Sequence, residues 1–170
     1  MLKRNKKGFT ILEVTVSLGI AMLGLLGVVS LVMQNMQAQS FNKYYLTASM
    51  LAQEGLELVR NIRDENWLTF GVDWDDDINT SDGTFTIDYN GRGSIDYVPN
   101  SISDSGTRLY REGNNYYTHN SIATSPTIFH RLITVTPKGE DKLDVVVTVQ
   151  WQAHGRTHQY VAETYLYNWR

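Results

Sequence analysis

The sequence predicts an α+β protein: one long N-terminal helix followed by an antiparallel sheet laid across the helix's C-terminal half. Three observations carry that expectation. Residues 9–33 are almost wholly apolar, residues 34–66 keep a three-and-four spacing of apolar positions, and beyond residue 67 short β-prone runs alternate with Gly, Asn, Asp and Ser. With 170 residues, 42% of them hydrophobic, the chain can bury a core and is not intrinsically disordered. The formal net charge is −3, so bulk charge does not mark a nucleic-acid binder. There are no cysteines, which excludes a disulfide framework and a cysteine zinc site.

The helix starts with a sharp partition of charge. Residues 1–8 carry Lys3, Arg4, Lys6 and Lys7 with no acid, and the 25 residues from Phe9 to Met33 hold a single ionisable group, Glu13. At about 1.5 Å per residue such a run crosses a hydrocarbon layer of about 30 Å. The basic flank places the N-terminus in the cytoplasm and the remainder outside the cytoplasmic membrane. A secretory signal peptide has a shorter apolar stretch and a small-residue cleavage site, and Met33-Gln34-Asn35-Met36 offers none. A plain membrane anchor accounts for the length but not for Glu13, because a carboxylate in a span costs a few kcal/mol and calls for a partner.

Residues Lys6 to Val14, KKGFTILEV, resemble the processing motif of type IV prepilins and pseudopilins. The resemblance implies that a prepilin peptidase cuts between Gly8 and Phe9, that Phe9 is then N-methylated, and that Glu13 becomes the fifth mature residue. Cleavage creates a charged α-amino group at Phe9. In a filament of packed helices that cation needs a buried anion, which Glu13 of a neighbouring subunit can supply. Breaking such a pair is costly even where its net stability is small, so it can enforce axial register. Glu13 is then an assembly residue; the bland alternative is that it snorkels to the interface. Gly19, Gly24 and Gly27 interrupt the span, either softening it or letting neighbouring helices approach closely. Pilins often soften this stretch with a proline, and here none precedes Pro99.

From Gln34 to Asn66 the helix continues as an amphipathic spine. Tyr44, Ala48, Leu51, Leu58 and Ile62 fall on one face, while Glu54, Glu57, Arg60, Arg63 and Asp64 are expected in solvent. The domain plan is thus 1–8 a basic leader that is removed, 9–33 a transmembrane and filament-core helix, 34–66 its amphipathic continuation, and 67–170 a β-rich globular domain of pilin-like kind.

In that domain TFTIDY (Thr84 to Tyr89) alternates, with Phe85, Ile87 and Tyr89 on one face, and SIDYV (Ser94 to Val98) follows a glycine turn. RLYRE and NYYTH flank Gly113-Asn114 as a two-residue hairpin, and TIFHRLITVT ends at Pro137. The last hairpin is the clearest. A turn at Gly155-Arg156 pairs Trp151 with Tyr160, Val149 with Ala162, Val147 with Thr164 and Val145 with Leu166. Its Val/Trp face is expected to pack on Tyr44, Leu51, Leu58 and Ile62.

Little else in the sequence points to chemistry. Asp73, Asp75, Asp77 and Asn79 alternate like the first ligands of an EF-hand loop, yet Ile78 and Thr84 stand where that loop needs glycine and glutamate. The loop reads as a solvated acidic turn, with calcium as the alternative. His154 and His158 flank the proposed turn on opposite faces, and His119 and His130 are isolated. No nucleophile elbow, phosphate loop or HExxH motif occurs, so no enzyme is expected, and no cofactor. Without the leader, 11 basic residues face 18 acidic ones, a net charge of −7. Tyr110, Tyr116 and Tyr117 near Arg108 and Arg111 read as hairpin partners, so nucleic acid is not an expected partner.

The functional expectation is a structural subunit of a type IV pilus or type II secretion-like filament. The aromatic end (Tyr165, Tyr167, Trp169) resembles minor pilins of the pilus modification or assembly type. Its partners would be the prepilin peptidase, other pilin subunits, the pilus assembly platform and membrane lipid. The alternative is a membrane-anchored or filament-displayed binding module, an adhesin or DNA-uptake receptor.

Overall fold

Helix α1 runs without a break from Ile11 to Leu68. A computed structural model of the chain describes residues 8–78, 83–89, 99–122 and 125–169. Two compact units result, Met1–Tyr44 and Tyr45–Arg170. In the first, residues 11–39 of α1 are exposed on every side, from Ile11 at 86% to Val14 at 47% among the large apolar side chains.

The second unit is a six-stranded antiparallel sheet with the rest of α1 packed on one face. The strands are β1 (Thr84–Phe85), β2 (Arg108–Arg111), β3 (Tyr117–Thr118), β4 (Ser125–Pro137), β5 (Lys142–Ala153) and β6 (Arg156–Tyr167). Their order is β3-β2-β4-β5-β6, with β1 paired to β4 beyond the end of β2. Alternation decides the faces: Val145, Val147, Val149 and Trp151 of β5 are buried with Phe129, Ile133 and Val135 of β4. Each such side chain contributes about 1.5–3 kcal/mol when fully buried.

The helix face that meets this row is Ala48, Leu51, Ala52, Gly55, Val59 and Ile62. It differs from the expected stripe: Leu58 is only half-buried, and Tyr44 falls in the other unit. The reason is close approach. A Cβ on Gly55 would stand 2.9 Å from Cγ1 of Val147, so the helix centres on its smallest residues and turns Leu58 toward the margin. Arg63, expected in solvent, is buried; it donates to Asp64 from Nε (2.9 Å) and Nη2 (2.7 Å) and lies 4.5 Å over the Trp67 ring.

The terminal hairpin keeps its predicted faces with its register moved by two residues. Trp151 pairs with His158, Val149 with Tyr160, Val147 with Ala162 and Val145 with Thr164. The turn is His154-Gly155, with φ of 52° and 73°. A two-residue turn with φ > 0 at both positions matches strand twist, and glycine suits its second place, which Gly155-Arg156 would not provide. The other hairpin also differs. Asn115 N–H donates to Glu112 O (3.0 Å), Glu112 N–H to Tyr116 O (3.0 Å), and Asn115 takes φ 69°, so the loop is three residues with asparagine in the left-handed position. TFTIDY yields only the short β1, and Phe85, Thr86, Ile87 and Asp88 are all buried; Ile87 O accepts from Arg131 and the Asp88 carboxylate from Thr118 and His119. SIDYV lies outside the described residues.

Candidate functional site

The beginning of α1 is set by an N-cap that spacing alone could have revealed, Thr10, three residues before Glu13. Thr10 Oγ1 accepts from Glu13 N–H at 3.2 Å, and Thr10 O accepts the first helical bond from Val14 N–H at 3.2 Å. Thr10 is therefore the N-cap, and Glu13 sits in the first turn, where the helix dipole favours an anion. Ser17 Oγ donates to Glu13 O at 2.8 Å and Thr15 Oγ1 to Leu12 O at 2.9 Å, so the polar side chains of this stretch satisfy themselves along the helix. The Glu13 carboxylate has no partner among the described residues. Phe9, Glu13, Val14, Ser17, Leu18 and Ala21 line an open notch of about 460 Å³ on the helix surface. Gly8 and Phe9 precede the helix and are exposed, Phe9 at 81%. A Cβ at Gly19, Gly24 or Gly27 would meet nothing within 4 Å, so these glycines answer to no packing among the described residues.

The acidic residues 73–77 form a chain of turns docked on the end of α1. Asn66 Nδ2 donates to Asp76 O (2.7 Å) and Trp74 O (3.4 Å), while Trp74 and Ile78 are buried. Asp73 and Asp77 are exposed and Asp75 half-buried; Asn79 lies outside the described residues. Among the described residues no three His, Cys, Asp or Glu side chains converge as metal ligands would.

The histidines are spread out, but two of them have partners that spacing did not reveal. His119 Nδ1 lies 2.7 Å from Asp88 Oδ1, and Asp88 also accepts from His119 N–H and the Thr118 hydroxyl. Burial alone would raise the Asp88 carboxyl; the hydrogen bonds from His119 and Thr118 and the charge of His119 outweigh it and hold it below the usual carboxylate value. His130 Nδ1 is 3.0 Å from Thr107 Oγ1. His154 is itself a turn residue, and His158 stacks on Trp151 at 5.5 Å. The basic-aromatic cluster is divided: Tyr110 pairs with Thr118, Arg111 with Tyr117, and Tyr116 stacks on Tyr89 at 4.7 Å.

The buried Arg131 had no sequence-based role. It donates from Nη1 to Leu51 O (3.3 Å) and Glu54 (3.2 Å), and from Nη2 to Ile87 O (2.8 Å), joining helix, sheet and the segment after β1. Its signal was a charge at an inward position of β4, between Phe129 and Ile133.

Residues 3–29 match the family model of the prokaryotic N-terminal methylation motif. Comparison with curated proteins and with solved structures returns no match. Directly after that motif's charged start, α1 is long and apolar enough to cross a membrane, and its apolar stretch is wholly unburied.

Proposed function

We infer that this type IV prepilin-like chain is a minor pilin or pseudopilin, cleaved between Gly8 and Phe9 by a prepilin peptidase and methylated on Phe9. It then assembles beside other pilin subunits on an assembly platform after passage through the cytoplasmic membrane. One observation carries the reading: an apolar helix exposed on every side, with a single carboxylate one turn from the new N-terminus. Such a surface needs lipid before assembly and sibling helices after it. The Glu13 carboxylate has no partner among the described residues and pairs with a neighbour's α-amino group in the filament. Mass spectrometry of the exported protein should give a chain starting at N-methylated Phe9; retention of residues 1–8 overturns the processing. Glu13→Gln should leave the processed chain in the membrane and abolish its incorporation into filaments; normal incorporation overturns the pairing.

A further inference from the structure

We propose that the sheet face turned away from the helix binds a small acidic saccharide, its carboxylate on Arg108 and its hydroxyls on the amide and hydroxyl side chains beside it. Two neighbouring rows of that face make the floor of an open groove of about 450 Å³. Arg108, His130 and Gln150 are direct cross-strand partners on β2, β4 and β5. Gln152 of β5 and Thr157 of β6 pair in the next row, and Ser103 of the preceding loop forms a wall.

Arg108 is held for such a role. The β2–β4 register shifts between Arg108 and Tyr110, an irregularity of the kind that re-aims side chains. Thr127 fixes it, its Oγ1 donating to Leu109 O (2.6 Å) and its carbonyl accepting from Arg108 Nε (3.0 Å). The two terminal nitrogens of Arg108 have no partner among the described residues. His130 is also oriented. Thr107 Oγ1 is 2.7 Å from both Ile102 O and Asp104 O and gives its hydrogen there, so His130 Nδ1 is the donor to Thr107 and Nε2 is left as an acceptor. Burial and the Arg108 charge both lower the His130 pKa and keep the ring neutral.

The lining selects the ligand class. Among the described residues it holds one fixed cation and no carboxylate, so it favours a monoanion. Gln150, Gln152, Ser103 and Thr157 each donate and accept, as sugar hydroxyls do. Ile128 and Trp151 are its only apolar members among the described residues, too few for the side-chain pockets of a peptide. The volume falls in the range of small-ligand sites.

The full chain in detergent micelles, titrated with D-galacturonate, D-galactose and acetate and followed by calorimetry and tryptophan fluorescence, tests this. Galacturonate should bind saturably, with galactose and acetate weaker by at least about tenfold. With native circular dichroism retained, Arg108→Gln should lose about tenfold or more in galacturonate affinity, and the exposed Gln152→Ala several-fold. Three results would overturn the proposal: no saturable galacturonate binding, acetate bound as tightly as galacturonate, or unchanged affinity in Arg108→Gln. Glu13→Gln should bind galacturonate normally, so failure of filament assembly and failure of this site are read separately.

Discussion

The two parts of α1 share one backbone and face different surroundings. Residues 11–33 are almost wholly apolar around the circumference, and the helix is exposed throughout residues 11–39. From Ala48 to Asn66 a single face is buried, built largely from alanine, glycine and aliphatic residues. Charges follow the same division: the Glu13 carboxylate has no partner among the described residues, whereas Glu54 receives Arg131. Glycine makes the contrast sharpest. Gly55 is required by Val147 pressing against it, while Gly24 meets nothing within 4 Å. A residue type therefore does not carry its meaning with it; in the later part the chain explains its own glycine, and in the earlier part no packing among the described residues does.

The largest effect should come from cutting the tie between helix and sheet. Arg131→Ala should cost about 3–5 kcal/mol in denaturant unfolding, because it removes buried charge-assisted bonds to Glu54, Leu51 O and Ile87 O. Arg131→Met, which keeps much of the volume but none of these bonds, should recover only the packing part of that loss; a Met variant as stable as the parent would mean that shape, not pairing, holds the tie. Gly55→Val should destabilise by about 1–3 kcal/mol through overpacking on Val147. The matched change Gly24→Ala should instead raise local helix stability by up to about 1 kcal/mol, read by hydrogen exchange in micelles. A loss there would erase the contrast between the two regions.

Acid should act on the sheet unit through Asp88. Its carboxyl is lowered in the folded protein, so its stabilising contribution is complete above the unfolded value, about pH 4, and fades as pH falls through the lower folded value. Urea midpoints measured downward from pH 6 should therefore fall on the acid side, and Asp88→Asn should flatten that limb. An unchanged limb in the variant would assign the acid sensitivity to other carboxylates.

Local periodicity made much of this architecture readable. Alternation in DVVVTVQW placed the inward row of β5 correctly, and the faces survived a register error because a shift of two residues preserves parity. The register itself hung on which pair of residues takes φ > 0, and His154-Gly155 does not announce itself as Asn-Gly would. The N-cap at Thr10 was legible and local. Leu58 was misjudged because helical spacing finds a stripe, whereas its centre depends on what presses against it. Arg63 and His119 found partners only in the folded chain, one against Asp64 and Trp67, the other against Asp88.

By itself the order of residues determined that a charged start, an uninterrupted apolar helix and a sheet of alternating strands would follow one another. Those features are set by neighbours within a few positions, through hydrogen-bond geometry and the two side-chain periods. Tertiary structure alone decided where Arg131 reaches, why Gly55 must be glycine, and how Arg108, His130 and Gln150 come into one row. These depend on strands brought together across long stretches of chain, and no local spacing encodes which surfaces will meet.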